Sequence, residues 1–412
     1  MPGTAKAKAK AKKVGGGLDE GKLRAWWSHR QGLDGSLEGQ SAAKVLERSG
    51  WARSVGGVGP YLTLFSRGGI GREAADMAVA QVEIHELPAA RGCTYVVPRS
   101  DYAVALKAGQ AFGGADMKTA AKLGVTEKEI DKLCEAVVKA LSGGALDPDG
   151  IREATGSASR SLGETGKKKG LTTTLPIALG RLQSEGRIRR VPSNGRLDNQ
   201  RYLYAAWKPS PLDGDRSAPE DAYRAVAERF FRWVGPARLS ELQWFLGLSG
   251  KATSAALESL KLEPVVEASD FLLLPEDVDA FRKFKAPSKP QYALVSSLDA
   301  ISATRRDVAM LVDAADQKRK VQMDEKTGPL GGFYDLPNHA ILDRGRLIGL
   351  WEYDTGTQSI AWATFGVKDK ALEAAVKKTE TYLRDQLGDA RSFSLDSPKS
   401  RAPKIAALRK MR

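Results

Sequence analysis

The sequence predicts an α+β fold in which three tandem winged-helix units precede a C-terminal β-rich, barrel-like domain. Three observations carry that prediction. Between Arg160 and Lys208 a helix, a turn and two short strands follow one another in a strongly basic stretch. Helical runs that end in paired strands recur on both sides of it. Beyond a Lys-Ala-Pro-Ser-Lys-Pro linker at 285–290 the pattern turns to alternating strands.

The middle unit, residues 118–210, is the clearest. Glu127 to Leu141 places Ile130, Leu133, Val137 and Val138 on one helical face, and Asp147 caps a short helix. Thr172-Thr173-Thr174 offers a cap for the next helix, with Pro176 near its first position and Gly186 at its end. Arg187 to Val191 alternates as a strand, Ser193-Asn194-Gly195 reads as a hairpin turn, and Arg201 to Tyr204 runs back. A helix followed by a basic hairpin is suited to a major groove and its flanking phosphates.

Charge sharpens this reading. The 160–208 window holds eleven basic and three acidic residues, a surplus of +8 within a net charge of +14. Residues 1–13 add five lysines and residues 397–412 six basic groups, with no acid in either stretch. Positive charge is thus concentrated in one folded module and two ends, as phosphate contacts at chosen places require. The expected partner is double-stranded DNA. Candidate contacts are Lys167, Lys168, Lys169, Thr173, Thr174, Arg181, Arg187, Arg189, Arg190, Arg196 and Arg201, with the second wing as the principal element. A solvated basic hairpin without a partner is the competing account.

The remaining boundaries follow from composition. Residues 1–17, a Lys-Ala repeat with three glycines, read as a disordered basic arm. Residues 18–117 form the first unit, with helices marked by Leu23 and Trp26-Trp27, by Val45-Leu46 and by Tyr61 to Phe65. Two strands, 82–87 and 93–97, close it. The third unit, 218–284, opens on Tyr223, Val226, Ala227, Phe230, Trp233 and Val234, a wide apolar stripe for which core packing is sufficient. The β-rich domain spans 285–390, with a meander over 339–342, 347–353 and 359–365 and a helix over 368–387. Residues 391–412 read as a basic tail.

Several function classes are excluded. No apolar run approaches the ~20 residues of a membrane span. The first residues lack the apolar stretch of a secretory signal. Two cysteines, Cys93 and Cys134, and three scattered histidines give no metal spacing and fit a reducing cytoplasm. No phosphate-cradling loop, dinucleotide fingerprint or nucleophile elbow occurs, so no cofactor is expected. A monomer is the simplest state.

Particular words inside this plan resemble the tandem winged-helix family of the AlkZ- and YcaQ-type DNA glycosylases. They are Arg30-Gln31-Gly32-Leu33, Tyr61-Leu62-Thr63-Leu64-Phe65-Ser66-Arg67, Arg91-Gly92-Cys93-Thr94-Tyr95-Val96-Val97-Pro98, Gly235 to Glu241 with Trp244, and Asp343 to Trp351. The resemblance runs from about 18 to 390. It implies three winged helices around a duplex channel and, in the members that are enzymes, excision of alkylated or crosslinked purines. Those members carry Gln-x-Gln or Gln-x-Asp before the Tyr-Leu-x-Leu helix, where the side chains position the attacking water. The corresponding positions here are near Arg53 and Val55, and no glutamine occurs from Ser41 to Ala80.

A bacterial-type DNA-binding member of this class, linked to recognition or repair of alkylated or crosslinked DNA, is therefore the leading expectation. Arg30, Gln31 and Arg53 are further candidate DNA contacts. The alternative is an active glycosylase with non-standard residues. If Val82 and Ile84 face inward, Glu83 and His85 share the outward face of a strand beside Arg91, where they could act as acid and base. Asp335, His339 and Asp343 read as turn and edge polarity. A scaffold whose basic ends bind RNA or acidic proteins is a third reading.

Overall fold

The computed structural model describes residues 18–323 and 326–411; the basic arm expected at 1–17 lies outside them. The first stretch contains α1 (Glu20–Arg30), α2 (Ala42–Ser49), β1 (Ala52–Arg53), α3 (Gly59–Gly68), α4 (Arg72–Ala80), β2 (Ile84–Pro88), β3 (Thr94–Pro98) and α5 (Tyr102–Gln110). The hairpin expected here is present, and β1 joins it to give an antiparallel sheet of order β1-β3-β2.

The second stretch contains α6 (Gly114–Ala121), α7 (Glu127–Ala140), α8 (Pro148–Thr155), α9 (Gly163–Lys168), α10 (Leu175–Ser184), β4 (Ile188–Pro192) and β5 (Tyr202–Ala206). Thr126 caps α7 by accepting from the Glu129 amide, and Asp147 caps α8 through Gly150. Ile130, Leu133 and Val137 of α7 meet Leu179 and Leu182 of α10 in one core. Thr174 does precede α10, but its hydroxyl accepts from the Arg160 amide at 3.0 Å instead of capping the helix. β4 and β5 pair antiparallel as expected.

The third stretch contains α11 (Pro219–Val234), α12 (Leu239–Leu246), α13 (Gly250–Leu257), the short strands β6 (Glu263–Pro264) and β7 (Leu272–Leu273), and α14 (Pro275–Lys283). The apolar stripe of α11 is buried at Val226, Ala227, Phe230, Phe231 and Val234.

The last stretch contains β8 (Tyr292–Val295), α15 (Ala300–Ala303), β9 (Lys320–Met323), β10 (Lys326–Pro329), β11 (His339–Asp343), β12 (Arg346–Asp354), β13 (Ser359–Thr364), α16 (Lys370–Tyr382) and α17 (Pro398–Met411). The expected meander is β11-β12-β13, and β8 extends it to a sheet of order β13-β12-β11-β8 with open edges. No pairing between β13 and β8 closes a barrel among the described residues. At the β11–β12 turn Gly345 has φ +76°, and a Cβ there would stand 2.1 Å from the Arg24 carbonyl, so both conformation and space require glycine.

Two corrections follow from packing. Residues 398–411, expected within a basic tail, form a helix against β12 and β13, with Arg401, Ile405 and Leu408 buried. Arg401 reaches Asp389 at 2.7 Å. Helical spacing of Ile405 and Leu408 supplies the apolar face that a count of basic residues hides. The opening helix α1 also packs far from its sequence neighbours. Its Leu23, Trp26 and Trp27 share a core with Phe271, Phe281, Val295 and Leu350, and Arg24 binds Asp313 at 2.6 Å.

Candidate functional site

A cavity of about 200 Å³ opens where the first, third and last stretches of chain converge. Its wall is aromatic and cationic. Trp51 and Arg53 come from the β1 strand and the residue before it, and Tyr95 from β3 beside it. Arg91 comes from the turn before β3, Trp244 from α12, and Phe393 from the segment after α16. Arg53 donates to the Thr94 carbonyl at 2.9 Å and lies 5.2 Å from the Tyr95 ring centroid. Arg91 has φ 57°, a left-handed conformation that aims its guanidinium 3.6 Å from the Trp244 ring centroid. Arg306, also left-handed at φ 52°, lies 4.0 Å from the same ring.

Charge in the cavity is unevenly balanced. Among the described residues Asp335 is the sole carboxylate in its wall, and it is bound to Arg306 at 2.9 Å. Arg53 and Arg91 have no carboxylate within ion-pair distance among the described residues. The cavity therefore presents two uncompensated guanidiniums beside flat rings, an arrangement that attracts an electron-rich planar group and nearby anionic oxygens. Val55 completes the wall next to Arg53, and its side chain offers no hydrogen bond.

The expected acid–base pair is not assembled. Glu83 precedes β2 and is partly exposed, whereas His85 is only 1% exposed. Both faces of β2 are covered: His85 packs 5.2 Å from Trp207, and Glu86 hydrogen-bonds Ser54. Strand alternation gives an outward face only where one side of the sheet meets water. Among the described residues neither ring nitrogen of His85 has a partner, and burial, reinforced by Arg189 and Arg190, pushes its pKa down to about 3. An unfolded histidine titrates near 6.5, so His85 stabilises the fold above that pH and the contribution is lost as pH falls towards 3. Stability should therefore drop by up to about 1.4 kcal/mol per pH unit below 6.5 from this residue. Thermal melts of His85→Phe should show a shallower acid slope than the native chain, and equal slopes would contradict the assignment.

The basic stretch of α10 and the β4–β5 hairpin is also more inward than expected. Arg181 pairs with Glu127 and Asp131, Arg187 with Glu135, and Arg196 with Asp198. Arg189 is half-buried, and Arg190 lies 5.0 Å from the Tyr202 ring centroid next to Glu86. The acids of α7 thus neutralise much of a surplus that a sequence window counts as free. Thr174 is buried and Thr173 partly so. Lys167, Lys168, Lys169 and Arg201 are exposed. Arg30 binds Asp277 through both terminal nitrogens at 2.9 Å, and Gln31 is fully buried, bonded to Arg67 and the Trp233 carbonyl. Of the candidate contacts, Arg53 alone lines the cavity. Sequence reading missed Arg91, Trp244 and Arg306 as a group because their stacking joins segments far apart in the chain; the paired Arg91-Gly92 turn was the one local signal. Among the described residues no cluster of three or more His, Cys, Asp or Glu side chains is placed to hold a metal ion. No helix among them is long and apolar enough to cross a membrane.

The family model for DNA glycosylase AlkZ-like proteins matches residues 58–393. The chain belongs to the AlkZ-like DNA glycosylase family. Among solved structures, the Streptomyces sahachiroi DNA glycosylase AlkZ is similar in fold, with a TM-score of 0.66 over 91% of this chain and 98% of that one, at 17% identity. A search of curated proteins finds no match. Within this AlkZ-like chain, Arg53 and Val55 both stand in the cavity wall.

Proposed function

We propose that this AlkZ-like chain is a monomeric, duplex-binding DNA-repair protein that receives an alkylated or crosslinked purine in the cavity and excises it weakly or not at all. The carrying observation is the pair Arg53 and Val55. Both line the cavity, and spacing from the Tyr61 helix puts them near the positions where the family resemblance implies a water-holding pair; yet the Arg53 side chain is a donor that cannot serve as base and the Val55 side chain cannot hydrogen-bond. The exposed Phe393 ring in the wall suits stacking on an extruded base, and Arg53 and Arg91 suit its flanking phosphates. In this reading α2–α3 with β1-β3-β2, α7–α10 with β4-β5, and α11–α13 with β6-β7 are three winged-helix units. Exposed Lys167, Lys168, Lys169 and Arg201 then follow the backbone.

A second reading, active excision, is favoured by one observation: Asp335 is a carboxylate in the cavity wall, held by Arg306. A duplex carrying one N7-alkylated guanine separates the two. The expected result is preferential binding over undamaged duplex with few abasic sites formed. Robust excision by the native chain would sink the binding reading, and a loss of roughly 10²–10⁴ in that rate on Asp335→Asn would assign the chemistry to Asp335.

A further inference from the structure

Six large apolar side chains are exposed on the described surface; Met77 and Leu239 lie outside the cavity and its neighbouring groove, and the other four gather in or beside them. Trp244 and Phe393 line the cavity, Tyr334 adjoins Asp335 in its wall, and Leu395 lies in a groove next to it. Val55 and Phe393 belong to both the cavity and the groove, so they form the partition between them. Leu395 is the extreme case at 92% exposed.

The turn that carries Leu395 is firmly held. The Asp396 carboxylate accepts from the Ser392 and Phe393 amides at 3.0 Å each, and the Asp396 amide donates to the Phe393 carbonyl at 3.1 Å. Ser394 donates its amide to the Val55 carbonyl at 3.0 Å, and Val58 donates to the Arg391 carbonyl at 2.9 Å. Gly57 makes this approach possible, since a Cβ there would stand 2.3 Å from the Ser392 carbonyl. The turn is therefore bolted to the segment whose Val55 forms the cavity wall. A leucine held out in water on such a turn contributes nothing to the fold, which points to burial in a partner.

Resting on the DNA reading above, we infer that the 392–396 turn is a stack-entering wedge, with Leu395 filling the gap left in the duplex when a base moves into the cavity. Apolar side chains that enter base steps unstack them, and a filled gap disfavours return of the extruded base. Phe393, at the rim, covers the base once it has entered. The commitment is to Leu395 as a positioning residue: it acts on the stack and not on the bond to be broken.

The test uses the full chain and a duplex with 2-aminopurine beside an N7-alkylated guanine, whose fluorescence rises on unstacking. Affinity for undamaged duplex is measured in parallel by anisotropy. Leu395→Ala should bind undamaged duplex within about twofold of the native chain while its fluorescence rise falls about tenfold, and Leu395→Phe should retain the signal. Because the side chain is exposed, neither substitution threatens folding. If the native chain unstacks the duplex and Leu395→Ala does so equally, the wedge alone is wrong. Duplex binding without any native fluorescence rise also overturns the wedge and leaves the binding reading standing. If the native chain binds no duplex, the DNA reading falls and the wedge with it.

Discussion

Asp299→Ala should destabilise the chain by roughly 3–5 kcal/mol, the usual cost of leaving one member of a buried ion pair without its partner. Arg67 and Asp299 both have fully buried side chains and meet through two 2.8 Å hydrogen bonds. Arg67 also donates to Gln31 at 2.9 Å, while Asp299 accepts from the Ile301 amide at the start of α15. One pair thus ties α1, α3 and α15 together, and α15 supplies Ala300 and Ala303 to the cavity wall. Without the carboxylate, the buried guanidinium keeps its charge with the neutral Gln31 oxygen and Ser66 hydroxyl for company. Replacing both members, as Arg67→Met with Asp299→Leu, should cost less than Asp299→Ala alone, because no charge is then left unpaired. Urea midpoints at unchanged m-value would measure this. A loss under about 1 kcal/mol for Asp299→Ala would show that the pair is dispensable.

The second large effect is a gain. Arg53→Gln combined with Val55→Asp should raise abasic-site formation on N7-alkylated duplex by about 10² or more over the native chain. The cavity already offers ring surfaces and guanidiniums, and on the proposed reading the side chains at these two positions neither hold nor activate a water. Glutamine can both donate and accept, and an ionised aspartate can take a proton. Val55→Asp alone should give less, because Arg53 would pair with the new carboxylate and withdraw it. No gain in the double variant, with lesion binding retained, would mean that the cavity receives the base in a pose unsuited to attack.

Much of the architecture was legible in local pattern. The α7 stripe, the α11 stripe and the β11–β13 meander depend on spacing within a few residues, and they form as expected. The site was legible in part, through Arg53 and Val55 by distance to the Tyr61 helix and through Arg91, Tyr95 and Trp244 within the resembling words, but not as one cavity. What the sequence hid was tertiary pairing. A window count cannot register that Glu127, Asp131 and Glu135 turn back on Arg181 and Arg187. Alternation along β2 cannot reveal that Trp207 and Ser54 cover its two faces. Basic residues near the end of the chain concealed Ile405 and Leu408, which make α17 part of the core.

The packing of α1 has a consequence for synthesis. Its Arg24 pairs with Asp313, and the core around Trp26 and Trp27 is completed by strands from the last third of the chain. Residues of α1 leave the ribosome well before these partners and must wait, unsatisfied, for groups almost three hundred residues later. At about 5–20 residues per second that delay is of order tens of seconds, long enough for two tryptophans to attract a chaperone. Assembly of this molecule is better pictured as a clasp closing on late arrivals than as beads folding one after another.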